Sequence, residues 1–374
     1  MHIAFLSCEY PPLKGGGIAT FLQGLGRALV SRGHRVTVLG WGKADEWRDH
    51  GVTVRMLSSE HPPKLGWLVN RRRVEAELRR MVRQEHLAIV EAADWCGMAA
   101  GVRPGCPLVI RCHGSAVYFA WMMKERVRVS VRAAEWLALH GACSIAACSS
   151  FTARSTRDLF SLRDPVRTIY NGVDLERFRA EPSAPVEPAT ILSFGSIVRK
   201  KGVLDLAQAF AQLHRVRPDA ILRVIGRDSA DTASGSASTW KLCEELLGEA
   251  ASRVQYLGAL PYDEMAAHIR AATCCVFPSH AEALPMAWLE AMACGKAILG
   301  YDVGWGPEVI EHEVSGLLTP ENDIGQLASG MGRLLEDAAL RERVGVGARR
   351  RVEEKFSLDG LVESTLGWYR EVLG

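Results

Sequence analysis

The chain has 374 residues, 48% hydrophobic and 24% charged, with mean hydropathy near zero. That composition excludes a disordered or fibrous chain, and the length exceeds what one ordinary core organises, so two domains are expected. The formal net charge is only +2 but unevenly placed: residues 1–170 hold 24 Lys/Arg against 14 Asp/Glu, and residues 171–374 hold 21 against 29, which fits two domains with different partners and equally fits ordinary solvated surface.

The opening HIAFLSC (2–8) reads as a strand and not as a secretory leader, because it has no basic lead and its apolar run is short. No apolar run is long enough to predict a transmembrane helix. A turn of Lys14-Gly15-Gly16-Gly17 follows, then a helix from Ile18 to Ser31 with Phe21, Leu22, Leu25, Leu29 and Val30 at helical spacing. HRVTVLG (34–40), AIVEAAD (88–94), PLVIRCHG (107–114), SIAACS (144–149) and VRTIY (166–170) continue the strands, with helical segments between most of them. Two of those segments are basic: one carries Arg71, Arg72, Arg73, Arg79, Arg80 and Arg83. The other, 119–140, mixes Trp121, Met122, Met123 and Trp136 with Arg126, Arg128 and Arg132. They suit a membrane surface or an anionic lipid-linked acceptor, and equally a core helix with a solvated basic side.

The Asn-Gly turn and three prolines of 171–189 predict a linker. The alternation then restarts with TILSFGS (190–196), AILRVIG (220–226), VQYLG (254–258), CCVFPS (274–279) and AILGYD (297–302), with helices at 202–216, 261–271 and 285–294. A short strand at 315–319 and three helical segments close the chain. The rhythm predicts an α/β protein of two Rossmann-like domains, 1–170 and 190–356, each a doubly wound parallel sheet that binds ligands beyond the carboxyl ends of its strands. The ten cysteines contain no Cys-x-x-Cys pair, so buried thiols in a reducing cytosol are expected.

Four constellations carry chemistry. The glycine-rich turn at 14–17 stands between a strand and a helix, where backbone amides meet an anion, though the same residues also make a plain turn. Gly195-Ser-Ile-Val-Arg-Lys-Lys-Gly202 places three cations at another strand–helix junction, as a diphosphate site or a solvated loop. His113 ends a strand of the first half, as a ligand or a structural histidine. HAEALPMAWLEAMACG (280–295) carries Glu282 and Glu290, which on one continuous helix would stand roughly 80° apart. Pro285 breaks that continuity, leaving Glu282 on the strand-end loop and Glu290 inside the helix. The amides of Leu284, Met286 and Ala287 then lie at a helix start suited to phosphate oxygens.

In this order, together with the strand-end His113-Gly114 and Asn171-Gly-Val-Asp174, these motifs resemble the family 4 retaining glycosyltransferases of GT-B architecture, over almost the whole chain. The resemblance implies two domains facing across a cleft, with the C-terminal helix (about 357–374) completing the first, acceptor-side domain. It implies that Gly16 and Gly17 approach the donor diphosphate, that Lys201 binds it, and that Glu282 holds donor-sugar hydroxyls with Ala283, Leu284, Met286 and Ala287 close by. Glu290 would take the ribose, Gly258 and Ala259 would line the base pocket, and His113 would reach the reacting carbon. Many members carry arginine where this chain has Ser196; Arg199 would substitute for it, or Lys201 would serve alone. No Asp-x-Asp motif occurs, so no metal or other cofactor is expected. The implied reaction moves a hexose or related sugar from a UDP-sugar or GDP-sugar to a hydroxyl of a glycan, lipid-linked or small-molecule acceptor, with no nucleic-acid partner. The implied location is cytoplasmic, or peripheral at the inner membrane face. The alternatives are a nucleotide-sugar epimerase or phosphorylase of similar fold, and a non-catalytic sugar-nucleotide or glycan-binding protein.

Overall fold

The computed structural model describes residues 1–13, 16–59, 66–181 and 183–374. Its residues form two compact units, Met1–Gly172 with Leu358–Gly374, and Val173–Ser357.

The first unit runs β1 (His2–Leu6), α1 (Gly17–Ser31), β2 (Arg35–Gly42), β3 (Asp45–Asp49), β4 (Val52–Ser58), α2 (Gly66–Glu85), β5 (Leu87–Ala93), β6 (Leu108–Cys112), α3 (Ala116–Met122), α4 (Val129–His140), β7 (Ser144–Ala147), α5 (Ser150–Phe160) and β8 (Arg167–Thr168). The sheet order is β3-β4-β2-β1-β5-β6-β7-β8, parallel except for β3. Chain order steps outward from β1 on one side and resumes at β5 on the other, so the β1/β5 boundary is the topological switch point. The central strands β1 and β6 are buried throughout and mostly apolar, because helices cover both faces.

The β3–β4 hairpin was not legible in the sequence. DEWRD lacks alternation because it is an edge strand, where charges guard against further pairing. Its turn, His50-Gly51, is marked only by two positive φ angles. Segment 119–140, expected as one helical stretch, is two helices. Ser115 caps α3 by accepting from the Tyr118 amide at 3.1 Å, the helix ends at Met122, and Lys124 just beyond it turns left-handed at φ 55°. α4 starts afresh at Val129.

The second unit runs β9 (Thr190–Phe194), α6 (Val203–His214), β10 (Ile221–Ile225), α7 (Thr239–Leu247), β11 (Val254–Tyr256), α8 (Met265–Ala271), β12 (Cys274–Phe277), α9 (Met286–Ala293), β13 (Ile298–Tyr301), α10 (Gly306–Val309), β14 (Leu317–Thr319), α11 (Ile324–Glu336) and α12 (Ala338–Lys355). Its six strands are all parallel, in the order β11-β10-β9-β12-β13-β14, which puts the switch point between β9 and β12. Of the segment 171–189, expected as linker, residues 171–172 fall in the first unit, and the described residues from Val173 on are built into this one. Val173 bridges Ser357, Phe178 is fully buried, Asp174 accepts from the amides of Glu176 and Arg177, and Glu187 pairs with Arg223. The Asn-Gly turn and prolines signalled a bend, but one buried aromatic and a carboxylate-capped turn fix the segment's place.

The last helix, α13 (Leu358–Leu373), belongs to the first unit. Leu361, Val362, Leu366, Trp368 and Tyr369 enter the core formed by Ile3, Phe5 and Leu25. Beneath it lies a polar network: Arg111 forks onto Glu91 at 2.8 and 3.1 Å and donates to Thr365, while the Tyr369 hydroxyl donates to Glu91 at 2.6 Å.

Candidate active site

In the second unit two loops leave the sheet at the β9/β12 switch point. The first, 195–202, carries Ser196, Arg199 and Lys201; the second, 278–285, carries Glu282. They are stitched together by backbone: the amides of His280 and Ala281 both donate to the Lys200 carbonyl, at 2.9 and 3.2 Å. Gly202 makes the approach possible. Its φ is 68°, and a Cβ there would stand 1.7 Å from the Pro278 carbonyl oxygen. Gly202→Ala is therefore expected to destabilise the unit by about 1–3 kcal/mol and part the loops. Thermal denaturation would register the change.

The stitching brings Lys201 onto Glu282. The ammonium donates to Oε1 of the carboxylate, and both side chains are largely shielded from water. Arg199 is turned the other way, forked onto Asp231 at 2.9 and 2.7 Å. The Arg199 guanidinium holds the Asp231 carboxyl well below the usual carboxylate range, so the charge of Arg199 is already matched. Ser196 is exposed beside it and brings no charge.

Past Glu282 the chain enters α9. Pro285 is its N-cap, with no side-chain capping bond. The amides of Leu284, Met286 and Ala287 find no acceptor among the described residues, the usual condition of a first helical turn. Ala287, at this helix start, lines a pocket together with Gly195, Ser196, Lys201, Glu282 and Pro285. A cation, a carboxylate and open amides thus converge at one switch point, a combination suited to a phosphorylated sugar.

Glu290 follows one turn deeper, 5% exposed. Its Oε1 accepts from the Tyr262 hydroxyl at 2.7 Å, and the Tyr262 ring is held edge-on by Phe178 and covered by Arg177. Burial pushes the Glu290 carboxyl up to about 7, against the lowering effect of the Tyr262 hydrogen bond. The loop that carries Gly258 and Ala259 after β11 runs on to Tyr262, the residue bonded to Glu290. The Gly258 carbonyl also accepts from Gly226, at the end of β10. The sequence reading missed Tyr262; its only signal was its place at the head of a helix.

Beside this site His280 bridges Glu321 at 2.9 Å and Asp205 at 3.3 Å. Burial lowers its pKa, the two carboxylates more than offset that, and the net shift is upward.

In the first unit His113 follows β6. Its backbone amide donates to Asp94 Oδ1 at 2.9 Å, and its ring sits edge-on to Phe21 at 4.5 Å. Burial, with Arg111 nearby, pulls the imidazole down to about 3, so it is neutral at any ordinary pH. Asp94, at the end of β5 and read in the sequence only as a strand residue, is fully buried with Oδ2 unpaired; burial pushes it up to about 7. Gly16 is the N-cap of α1 and donates to Glu9 at 3.2 Å, while Gly17 opens the helix, exposed. Lys14 and Gly15 of the same turn lie outside the described residues. Among the described residues no cluster of His, Cys, Asp or Glu could hold a metal ion, and no helix is long and apolar enough to cross a membrane.

Two units built on parallel sheets, with one antiparallel edge strand in the first, make the GT-B glycosyltransferase fold. Sucrose-phosphate synthase from Thermosynechococcus elongatus superposes with a TM-score of 0.83 at 21% identity, over 99% of this chain and 98% of that one. The Anabaena HepE protein, solved with UDP and glucose, gives a TM-score of 0.79 at 18% identity over 99% and 100%. Two family models match in succession, Glycosyltransferase Family 4 over residues 15–177 and Glycosyl transferases group 1 over residues 174–351. An uncharacterized glycosyltransferase of Methanocaldococcus jannaschii is 26% identical over 99% of this chain and 98% of its own. The chain belongs to the glycosyltransferases of these two groups, and it is an enzyme.

Proposed function

We propose that this enzyme transfers a hexose, with retention of anomeric configuration and without a metal, from a nucleotide diphospho-sugar to an acceptor hydroxyl in the cytoplasm. The observation that carries this reading is the Lys201–Glu282 pair set against the open amides of α9 at the β9/β12 switch point. Lys201 and the helix start bind the diphosphate and stabilise charge on it as the glycosidic bond breaks. Glu282 accepts from sugar hydroxyls, and Glu290, displacing Tyr262 or sharing with it, accepts from the ribose diol. His113, held neutral, offers a hydrogen-bonding nitrogen to the sugar without adding positive charge beside an oxocarbenium-like centre. The leaving phosphate takes the acceptor proton, so no separate general base is required. Uridine is the favoured base, in keeping with the UDP in the HepE crystals.

The test is thermal denaturation with UDP, GDP and other nucleoside diphosphates, because a ligand of the native state raises its stability by mass action. UDP is expected to give the largest upward shift; no shift with any of them overturns the reading, and a larger shift with GDP reassigns the base. The pH dependence tests Glu290. Its raised folded pKa adds stability to the free enzyme that is full below the ordinary 4.5 and lost as pH rises through about 7. The ribose prefers the ionised form, so the UDP-induced shift is expected to grow between about pH 6 and pH 8. Glu290→Gln should remove both slopes while leaving the titration of UDP itself in place.

A further inference from the structure

α4 is inverted relative to an ordinary surface helix. Its only carboxylate, Glu135, points inward, fully buried, and accepts from the amides of Cys96, Ala116 and Val117 at 3.1, 2.8 and 3.1 Å. Its outward stripe is Val129, Arg132, Ala133, Trp136, Leu137 and His140, all exposed and at helical spacing. Val129 is 82% exposed and Trp136 46%, with its ring stacked on His140 at 3.9 Å. Burying such groups is the default for a folded chain, and a contiguous exposed set marks a contact surface.

The stripe has apolar neighbours. The turn 95–97 is pinned under α4 by the Cys96–Glu135 bond and by Gly97, whose Cβ would lie 2.2 Å from the Ala134 backbone. Trp95 is exposed on that turn. From the other side Arg71 of α2 donates to the carbonyls of Gly97 and Met98 and lies over Trp67, which is 58% exposed. One exposed tryptophan therefore lies on the turn, and the two elements pinned to that turn, α4 and α2, each carry another, Trp136 and Trp67. The charges beside them are mainly positive: Lys124, Arg126, Arg128 and Arg132 are exposed, the three arginines have no carboxylate partner among the described residues, and the loop 123–128 holds one acid, Glu125.

We propose that this face docks on an anionic lipid bilayer, with α4 lying in the interface, its tryptophans among the headgroups and its arginines on the acidic surface. Tryptophan and arginine side by side suit that boundary, where one end of a side chain is apolar and the other wet. A second copy of the chain is a poorer occupant, because a symmetric contact would set the three unmatched arginines against their own copies. The proposal does not depend on the donor reading.

The experiment is co-sedimentation of the full chain with phosphatidylcholine vesicles, with and without phosphatidylglycerol, at low and high salt. Wild type should pellet with the anionic vesicles at low salt, be released at high salt, and remain in solution with phosphatidylcholine alone. Arg128→Gln with Arg132→Gln should lower partitioning about fivefold per charge, and Trp136→Ser with Leu137→Ser about tenfold. All four side chains are exposed, so unchanged melting temperatures would show the variants folded. Equal recovery in the supernatant under every condition, equal binding to both vesicle types, or variants that partition like wild type would overturn the proposal. So would a vesicle-independent dimer abolished by the Trp136–Leu137 pair of changes, since the face would then be a self-contact.

Discussion

Lys201→Met is expected to lower turnover by about 10²–10³-fold, the scale of removing one donor aimed at charge that develops in a transition state. UDP affinity should fall less, because the amides of α9 remain. The geometry also offers a plainer role for this lysine, since its ammonium neutralises the shielded Glu282 carboxylate. Removing it alone takes from that carboxylate the cation bonded to it, which costs stability whatever the lysine does in catalysis. The double change Lys201→Met with Glu282→Gln separates the two. The Glu282→Gln single variant is the reference, since Glu282 has its own part in holding the sugar. If Lys201 serves only Glu282, the double variant matches Glu282→Gln in both melting temperature and turnover. If Lys201 carries the leaving diphosphate, melting temperature matches and turnover falls well below that of Glu282→Gln. Arg199 is in no position to rescue either variant, since its fork is filled by Asp231.

That outcome bears on how this site is read from sequence. The pieces with a physical signature in one dimension were legible: glycines at strand ends, a basic loop, a proline heading a helix, carboxylates on either side of it. The parallel sheets were legible for the same reason, since strands buried on both faces read as continuous apolar runs. What was not legible depends on distant pairs. Arg199 looks like a third phosphate ligand until Asp231, 32 residues on, is seen to fill it. Tyr262 and Asp94 look like surface and strand residues until Glu290 and the His113 amide are found against them. The break between α3 and α4 went unseen because the six residues 123–128, with left-handed Lys124 among them, include no glycine or proline to mark it. α4's inversion was half visible: its composition is on the sequence, but which face turns outward is fixed by where Glu135 finds three amides.

Glu91 is where the largest loss of stability is expected. Arg111 is wholly buried, and its charge is met by Glu91, itself 2% exposed, with Thr365 accepting one further N–H and the rings of Phe21 and Trp368 on either side at 5.3 Å. Glu91→Ala strands that guanidinium and takes away the acceptor of Tyr369, so about 3–5 kcal/mol should be lost. That is a large part of the whole margin of a folded domain. Glu91→Leu with Arg111→Met is expected to recover most of it, because an ion pair sealed in a core gains little over well-packed apolar side chains and suffers only when one partner is missing. Denaturant unfolding measures both variants; a loss below about 1 kcal/mol for Glu91→Ala would mean the apolar face of α13 holds the helix without the network. The site would feel the difference, because β6 carries Arg111 inward and His113 at its end. In the double variant the cation that helps hold the imidazole neutral is gone, while burial, the larger cause, remains. His113 should accordingly titrate higher than about 3 yet stay uncharged at neutral pH, which a histidine ring-proton titration by NMR would register.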